Sequence, residues 1–190
     1  MNRRAAGWVL GAALLLAGGA VAWWWLAGRG GAAGARSPSA ATVAGPPGER
    51  RTFDLYFPAE SELLRAEHRD LEVPDSPKER IRKLVEALLA GPTQSGMERA
   101  FPAGVTLGSV QLSPDGTAYV DLRWADHPDP PGSGSSEEIQ RIYSLVNTIA
   151  FNVPQAARVV VLWNGTQRMT LGGHLDTSRP LVPDRALLAR

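Results

Sequence analysis

Residues 76–92 read SPKERIRKLVEALLAGP, and this stretch carries the strongest local structural signal in the chain. Its opening, SPKE, places an N-cap serine, a proline at the first helical position and a glutamate three residues after the cap, which together form a capping box. Gly91 and Pro92 end the pattern. Apolar residues recur between these ends at helical spacing, namely Ile81, Leu84, Val85, Leu88 and Leu89. The stretch therefore predicts an amphipathic helix with one buried face.

Two extended segments precede this helix. In residues 52–57 apolar and polar side chains alternate, which is the period of a half-buried strand, and a proline follows. The more polar residues 62–73 are predicted to pair back on the first strand as a hairpin. In that hairpin Leu64 and Ala66 point inward, and the Arg and Glu side chains lie in water.

A second hairpin and a second helix follow. Residues 105–112 and 117–122 are predicted strands, joined by the turn sequence SPDG. A proline-rich loop then leads to Ser135 and Glu138, which have the spacing of a second capping box. The apolar face of the helix that follows consists of Ile139, Ile142, Tyr143, Val146 and Ile149.

The last strong segment is the apolar run RVVVLW at residues 158–163, as expected of a strand buried on both faces. Asn164 and Gly165 after it predict a hairpin turn. The elements thus follow the order ββαββαβ, and residues 167–171 after the turn are a candidate for a further short strand. This order predicts an α+β two-layer sandwich, a small mixed β-sheet with two helices on one face.

The N-terminal region has a different character. Residues 7–27 contain no charged side chain and, as a helix, would span roughly 30 Å, the thickness of the hydrocarbon core of a bilayer. We therefore predict a cytoplasmic leader at residues 1–6 and a transmembrane signal anchor at 7–27. In residues 28–49, 17 of 22 residues are Gly, Ala, Ser or Pro, which predicts a flexible linker.

The N-terminal segment has a second interpretation, because residues 20–22 (AVA) resemble a signal peptidase site, so that cleavage near Ala22 would secrete the protein. The apolar run favours a retained anchor, since it continues through three tryptophans beyond that site. The chain has no cysteine to carry a lipid. A short leader ahead of a large C-terminal part favours a single-pass topology with the folded domain outside the cytoplasm.

The charge of the folded part argues against nucleic acid as a partner. Residues 50–190 carry 16 basic and 18 acidic side chains, a net charge near −2, although the whole chain is at +1. Binding to the phosphate backbone depends on an excess of Lys and Arg. We therefore expect no nucleic acid partner.

No set of residues predicts a catalytic, cofactor or metal site. There is no cysteine, and the chain has only three histidines. The loop at residues 126–129 (DHPD) offers metal-ligand atoms, but without a second ligand cluster a structural or surface role is the better interpretation. His174 is predicted to make a structural hydrogen bond to Asp176 or Asp121. Asn147 and Thr148, within the second helix, are interpreted as helix–sheet hydrogen-bonding groups.

Six short sequences, in order along residues 50–176, resemble the GerMN (Germane) domain of bacterial sporulation and spore-germination proteins. They are LYFP at 55–58, ALLAGP at 87–92, FPAGV at 101–105, VDL at 120–122, LVNT at 145–148 and GGHLD at 172–176. The residues that carry the resemblance as structural motif positions are Leu55, Tyr56, Phe57, Gly91, Pro92, Asp121, Asn147, Thr148, Gly172, Gly173, His174 and Asp176.

The resemblance implies a GerMN-like domain at residues 50–177, followed by a C-terminal tail at 178–190. Such domains are expected to be non-catalytic modules for assembly or binding in the cell envelope. Here the chain departs from the family pattern, with an apolar helix in place of a lipobox cysteine and a single copy of the domain.

Two function classes remain at this point. The first is protein–protein interaction or scaffolding at the membrane, with envelope proteins as partners or by self-association. The alternative is a module that binds or hydrolyses glycan or peptidoglycan, with exposed Trp124 and Tyr119 as its aromatic platform.

Overall fold

The computed structural model describes residues 49–189 of the chain. The predicted leader, transmembrane anchor and nearly all of the linker lie outside the described residues. The elements are β1 (Glu49–Pro58), β2 (Leu64–Val73), α1 (Pro77–Ala90), β3 (Val105–Leu112), β4 (Thr117–Trp124), α2 (Ser135–Asn152), β5 (Arg158–Trp163), β6 (Thr166–Gln167) and a 3₁₀ turn (Arg185–Leu187). The predicted order ββαββαβ is confirmed, with a two-residue strand added after it.

Among residues 49–189, neither helix combines the length and the apolar character needed to cross a bilayer.

The strands form two sheets, where a single mixed sheet was predicted. β1 and β2 make an antiparallel pair of their own, and the second sheet has the order β3-β4-β5-β6. Within the second sheet β4 and β5 run parallel, and the other pairs are antiparallel. The expectation of one sheet is wrong. Side chains of α2 form hydrogen bonds with backbone groups on the edge of β1 that faces away from β2, so no further strand can pair there.

Turn residues set the hairpins of the second sheet. The backbone N–H of Gly116 bonds to the carbonyl of Ser113 at 3.0 Å and closes the turn between β3 and β4. Between β5 and β6, Asn164 (φ 50°) and Gly165 (φ 78°) both have positive φ, which is the geometry of a type I′ turn. The predicted Asn-Gly hairpin turn is confirmed.

Helix α1 matches its prediction closely. Its buried residues are Ile81, Leu84, Val85, Leu88 and Leu89. The hydroxyl of Ser76 accepts from the backbone N–H of Glu79 at 3.5 Å, and Gly91 is the C-cap. The helix packs against β3, while α2 packs against β1 and β5. One continuous apolar core joins the two helices to both sheets.

The start of α2 differs from the prediction of a second capping box. Its N-cap is Gly134, which provides no side-chain hydrogen bond, and Ser135 is already helical. The capping box is absent because the carboxylate of Glu138 is directed away from the helix end and is fully buried.

Strand β5 is buried as predicted. Val159, Val161 and Trp163 belong to the central core, and Val160 is buried on the other side of the strand with 3% exposure. β2 fits its prediction less well, since Leu64 is buried as expected but Glu67 is fully buried too. The expectation that the Glu and Arg side of β2 lies in water is wrong at this residue, because Glu67 bonds to the loop that follows α1.

Candidate functional site

Glu138, near the start of α2, holds the loop that follows β6. Its side chain is 0% exposed and accepts hydrogen bonds from four backbone N–H groups of that loop. The N–H groups of Leu171 (3.0 Å) and Gly172 (2.6 Å) bond to Oε1, and those of His174 (2.7 Å) and Leu175 (3.2 Å) bond to Oε2. Backbone N–H groups that converge in this way form an anion-binding nest. The protein fills the nest with its own carboxylate.

The electrostatics of this contact favour the charged form of Glu138. Burial acts to raise the pKa of the carboxyl group, but the bonds from the four N–H groups outweigh it and lower the pKa of Glu138 below its ordinary value. The fit leaves no room for a larger residue at Gly172. A Cβ atom there would come within 2.5 Å of the Ser133 hydroxyl and 3.0 Å of Glu138 Oε2.

His174 contacts Glu138, and not the partners that its sequence position predicts. Its Nδ1 lies 3.2 Å from Glu138 Oε2. Asp176 instead accepts from the backbone N–H (2.9 Å) and the hydroxyl (2.6 Å) of Ser178. The predicted pairing of His174 with Asp176 or Asp121 is wrong, because a carboxylate 36 residues earlier in the chain is brought to the ring by the packing of α2.

Glu67 makes the corresponding contact on β2, with the loop that follows α1. Its carboxylate accepts from the backbone N–H groups of Thr93 (2.8 Å) and Gln94 (2.9 Å), from the Thr93 hydroxyl (2.9 Å) and from Arg69 Nε (2.8 Å). Burial acts to raise the pKa of Glu67, but bonds from Gln94, Arg69 and Thr93 outweigh it and lower that pKa to about 2. A second buried carboxylate thus holds a second loop.

The Gly91-Pro92 motif lies at the start of the loop that Glu67 holds. Gly91 has φ 90°, a left-handed conformation that glycine adopts at low energetic cost, and a Cβ atom there would come within 2.6 Å of the Arg99 guanidinium. Arg99 donates to the last carbonyls of α1, those of Leu89 (2.5 Å) and Ala90 (2.7 Å), and Arg69 donates to the carbonyl of Gly91 (3.1 Å). Two arginines therefore cap the C-terminal end of the helix.

Asn147 and Thr148 are buried on α2 and bond to backbone groups distant in the sequence. The side-chain amide of Asn147 donates to the carbonyl of Asp184 and accepts from its N–H, both at 2.9 Å. Thr148 Oγ1 accepts from the N–H of Tyr56 at 3.0 Å. The interpretation as helix–sheet hydrogen-bonding groups is confirmed for Thr148, whose partner lies in β1, and is wrong for Asn147, whose partner Asp184 lies in the segment after β6 and outside the strands.

A third polar residue of α2 completes the cover on the edge of β1. The side chain of Asn152 accepts from the backbone N–H of Asp54 at 3.2 Å and donates to its carbonyl at 2.7 Å. Together with Thr148, it satisfies backbone groups that would otherwise form an open strand edge.

Asp121 lies at a bulge between β3 and β4. Its carboxylate accepts from the backbone N–H of Gly165 at 2.6 Å and from Arg123 Nε at 2.9 Å. The register between the two strands shifts at Gly108, where a Cβ atom would come within 2.6 Å of Asp121 Oδ2. The glycine therefore makes room for a side chain that fixes the turn after β5.

The motif residues of β1 build the core. Leu55 and Phe57 are both 0% exposed. Tyr56 is also buried and makes an edge contact with Phe151 of α2, with ring centroids 5.6 Å apart.

Trp124 and Tyr119 do not form one aromatic platform. Side chains alternate along a strand, so these two residues lie on opposite faces of β4. The ring of Trp124 is stacked on His127 with centroids 3.8 Å apart, and Trp163 lies against it at 6.4 Å in a T-shaped contact. The predicted platform is wrong, because the period of the strand separates its two members and His127 covers Trp124.

The proline loop between β4 and α2 is built as a structural loop. Asp129 pairs with Arg168 at 3.1 Å, and His127 is engaged in the stack with Trp124. Across residues 49–189 no three His, Asp or Glu side chains are grouped as a metal ion would require.

A shallow depression lies between α1 and β3. Its volume is about 370 Å³, and it is open to solvent along much of its length. The lining residues are Glu86, Leu89, Ala90, Val105, Thr106 and Leu107. Glu86, the one ionisable group there, pairs with Lys83 at 3.2 Å.

These contacts give most motif residues a clear role. Gly91, Gly172 and His174 belong to loops held by buried carboxylates, while Asn147, Thr148 and Asp121 hold backbone segments distant in sequence. Sequence reasoning missed Glu67, Asn152 and Arg141, the last with 5% exposure, and it gave Glu138 the different role of a helix-capping residue. All four residues belong to polar types that normally lie in water, and no local pattern marks Glu67, Glu138 and Arg141 as buried.

We compared the sequence and the fold with known protein families and solved structures. A family model described as "Germane: Sporulation and spore germination" matches residues 54–168. Among solved structures, a putative lipoprotein from Clostridium perfringens is similar, with 22% identity and a TM-score of 0.51, over 70% of this chain and 87% of that one. No curated protein matches the chain.

Two structures of the sporulation protein GerM from Bacillus subtilis are also similar. Its tandem GerMN domains align with 20% identity and a TM-score of 0.56, over 70% of this chain and 46% of that one. Its first GerMN domain aligns with 17% identity and a TM-score of 0.52, over 72% of this chain and 98% of that one. At these identities the similarity shows the fold. The family model matches more than half of the chain, and this match establishes that the chain belongs to the Germane (GerMN) family.

Proposed function

We propose that this protein is a membrane-anchored, extracytoplasmic GerMN module that acts by binding other proteins of the bacterial cell envelope, without catalysis. The observation that carries the proposal is the role of the buried polar side chains, both the motif residues Asp121, Asn147 and Thr148 and the carboxylates of Glu67 and Glu138. The buried carboxylates accept hydrogen bonds from backbone N–H groups, and the buried amides bond to both N–H and carbonyl groups. These hydrogen bonds hold loops in a defined shape. A rigid surface is what a binding or scaffolding module requires.

The N-terminal sequence supports the envelope location. The apolar residues 7–27 have the length of a membrane span, and the Gly, Ala, Ser and Pro-rich residues 28–49 suit a flexible tether. The names of two similar structures, a putative lipoprotein and a sporulation protein, agree with an envelope role for the fold. The proposed anchor is a signal anchor that leaves the domain outside the cytoplasm.

Proximity labelling tests location and function together. A biotin-labelling enzyme is joined through a flexible linker after Arg190 of the full chain, and the labelled proteins are identified by mass spectrometry. We expect extracytoplasmic envelope proteins to be enriched over a control with residues 7–27 deleted. Labelling confined to cytoplasmic proteins would overturn the topology, and an unspecific set of envelope proteins would overturn the binding role.

The glycan alternative has a separate test. Because Trp124 is covered by His127, we expect no co-sedimentation of the full chain with purified cell wall. Sedimentation of the wild type that is lost in Trp124→Ala would contradict the proposal and favour a glycan-binding module.

A further inference from the structure

One edge of the second sheet is open. β3 is the first strand in the order β3-β4-β5-β6, and within residues 49–189 it pairs only with β4. The backbone N–H of Asn164 bonds to the carbonyl of Leu122 at 2.8 Å, so the backbone groups of Leu122 face β5. Leu107 lies opposite Leu122, and opposite residues of an antiparallel pair either bond to each other or both face away. The N–H and carbonyl groups of Leu107 therefore face the open edge.

The same alternation applies to the far end of β3. Val110 and Leu112 lie opposite Val120 and Ala118 of β4, whose backbone groups face the same way as those of Leu122. The backbone groups of Val110 and Leu112 therefore also face the open edge. Among residues 49–189 no other segment forms backbone hydrogen bonds with β3 at these positions. A row of free donors and acceptors of this kind is a template for a further strand.

The other strand edges are covered, charged or short. The edge of β1 is bonded to Thr148 and Asn152, β2 carries five Arg, Asp or Glu side chains, and β6 has only two residues. β3 reads VTLGSVQL and has no charged side chain. The bulge at Gly108 interrupts its ladder once. Since charged side chains are a common protection of exposed strands, β3 is the edge best suited to pair with another chain.

The depression between α1 and β3 lies along this edge. Three consecutive residues of β3 line it, namely Val105, Thr106 and Leu107. Consecutive side chains of a strand point to opposite faces, so a depression lined by all three follows the strand edge. Leu89 and Ala90 of α1 form the opposite wall. Its volume of about 370 Å³ is in the range of pockets that hold ligands, so it has room for side chains of a bound segment.

Charge indicates which kind of strand fits. Glu86, the one ionisable residue of the lining, has a side chain that is 44% exposed and lies 3.2 Å from Lys83. A carboxylate has two acceptor oxygens and can bind a second cation. A second copy of β3 would bring no basic side chain to Glu86, because residues 105–112 contain none. The depression therefore favours a segment of different sequence that contains Lys or Arg.

We propose that the outer edge of β3 and the adjoining depression bind an extended segment of another envelope protein, with alternating apolar side chains and a Lys or Arg that reaches Glu86. This inference rests on the proposed binding function and adds the surface and the kind of partner. In this mode of recognition main-chain hydrogen bonds give affinity, and pockets for alternate side chains give specificity. Leu107, Val110 and Leu112 provide the main-chain groups, and the depression provides the pocket.

A photo-crosslinking experiment locates the partner. p-Benzoylphenylalanine is placed at Gln111 of the full chain in intact cells, since this residue of β3 is exposed and lies outside the depression. Control probes stand at Glu60 and Met169, which are exposed elsewhere on the domain. We expect an adduct from Gln111 with an envelope protein. Mass spectrometry of the crosslinked peptide should show alternating apolar residues and a Lys or Arg.

A synthetic peptide with the crosslinked sequence tests strand addition on the purified full chain. Its backbone nitrogens are methylated one at a time, and the dissociation constant of each peptide is measured. Every second N–H of an added strand points to its neighbour, so methylation at alternate positions should weaken binding by about tenfold. Methylation at the intervening positions should have little effect. A peptide bound as a helix or through side chains alone would not show this period of two.

The role of charge has its own variant. Glu86→Lys should weaken binding of the same peptide by about tenfold, because it places a cation where the peptide brings one. The matched control is Glu60→Lys, the same change at an exposed residue outside the depression, which should leave the dissociation constant unchanged. The thermal midpoint of each variant shows whether the fold is retained.

The outcomes distinguish this inference from the proposed function. Adducts with an envelope protein from Glu60 or Met169 but none from Gln111 would overturn strand addition and leave the binding function standing. A Gln111 adduct formed only with lipid, glycan, residues 1–48 or a second copy of the chain would also overturn it. So would a methylation series without a period of two, or equal binding by Glu86→Lys and the wild type. No protein adduct from any position would overturn both proposals.

Discussion

At the scale of single residues, two buried carboxylates account for the shape of two loops. Glu67 bonds to backbone N–H groups of Thr93 and Gln94, and Glu138 bonds to four N–H groups of residues 171–175. A buried carboxylate without partners would be strongly destabilising, whereas one that accepts several N–H bonds stays charged and fixes its donors. The stability of the domain therefore depends on the ionisation of these groups.

We predict that Glu67 makes the domain sensitive to acid. Its pKa in the folded state is about 2, below the ordinary value of 4.5, so its stabilisation is fully present above about pH 4.5 and is lost as the pH falls toward 2. The shift corresponds to roughly 3 kcal/mol. Urea unfolding of a protein of residues 44–190 between pH 7 and pH 3 measures the part of this loss that occurs above pH 3.

The Glu67→Gln variant should be less stable than the wild type at pH 7 and should lose less stability on acidification. Glu86→Gln, a change at an exposed helix position, is the matched control and should follow the wild type. Parallel pH profiles for the wild type and Glu67→Gln would show that this carboxylate is not the source of acid sensitivity.

We also predict that Glu138→Gln loosens the loop at residues 171–175. The new amide group places an N–H donor among backbone N–H donors, which should destabilise the domain by about 2 to 3 kcal/mol. Hydrogen exchange should accelerate at the amides of Gly172 and His174, while α1 stays protected. Unchanged protection of these two amides would contradict the role assigned to Glu138.

At the scale of elements, polar side chains cover strand edges and so limit the extent of the sheets. Thr148 and Asn152 of α2 bond to backbone groups of β1, so the β1–β2 pair cannot continue into the second sheet. The bulge at Gly108 has a related role, because it admits Asp121 and Arg123 beside the β3 backbone. Sheet boundaries in this protein are thus set by side chains as well as by strand pairing.

Gly108→Ala should disrupt the contact between Asp121 and Arg123. A Cβ atom at residue 108 would come within 2.5 Å of Arg123 Nε, and the crowding should cost about 1 to 3 kcal/mol. The control is Gly132→Ala, where a Cβ atom meets nothing within 4 Å and a change below about 0.5 kcal/mol is expected. Thermal unfolding of the two variants measures the difference, and equal midpoints would count against a tight fit at the bulge.

At the scale of the whole molecule, the segment after residue 177 is part of the folded domain. Leu181 exchanges two backbone hydrogen bonds of 2.8 Å with Val159, and the backbone of Asp184 bonds to Asn147. The N–H of Ala189 bonds to the carbonyl of Leu64 at 2.8 Å. From the sequence we expected the domain to end at residue 177 and residues 178–190 to form a C-terminal tail. In the structure this segment is hydrogen-bonded to both sheets and to α2.

Removal of residues 178–190 should therefore destabilise the domain by at least about 3 kcal/mol. The deletion leaves the side chain of Asn147 buried without partners and removes backbone bonds to β2 and β5. Removal of Arg190 alone is the control and should have no measurable effect. If the truncated domain had the same free energy of unfolding as the full domain, residues 178–190 would be a tail that does not stabilise the fold.

The predictions from sequence succeeded where the signal was local and periodic. The face of α1, the apolar β5 and the Asn164-Gly165 turn each depend on residues within one element, and all three appear as expected. The second capping box failed for a non-local reason. Ser135 and Glu138 have the right spacing, but the loop at residues 171–175 binds Glu138 more effectively than the helix end does.

The sequence by itself determined the order of the elements, the apolar face of α1 and membership of the family, because these depend on short-range patterns and fragment order. The face predicted for α2 is correct at Ile142, Val146 and Ile149, whereas Ile139 and Tyr143 are only partly buried. Tertiary structure alone decided that the strands form two sheets, that Glu67 and Glu138 are buried, that His127 covers Trp124 and that the C-terminal segment belongs to the domain. The physical reason is that a carboxylate has the same local sequence signature in water as in a nest of backbone N–H groups. Only the packing of distant segments supplies the donors that make its burial favourable.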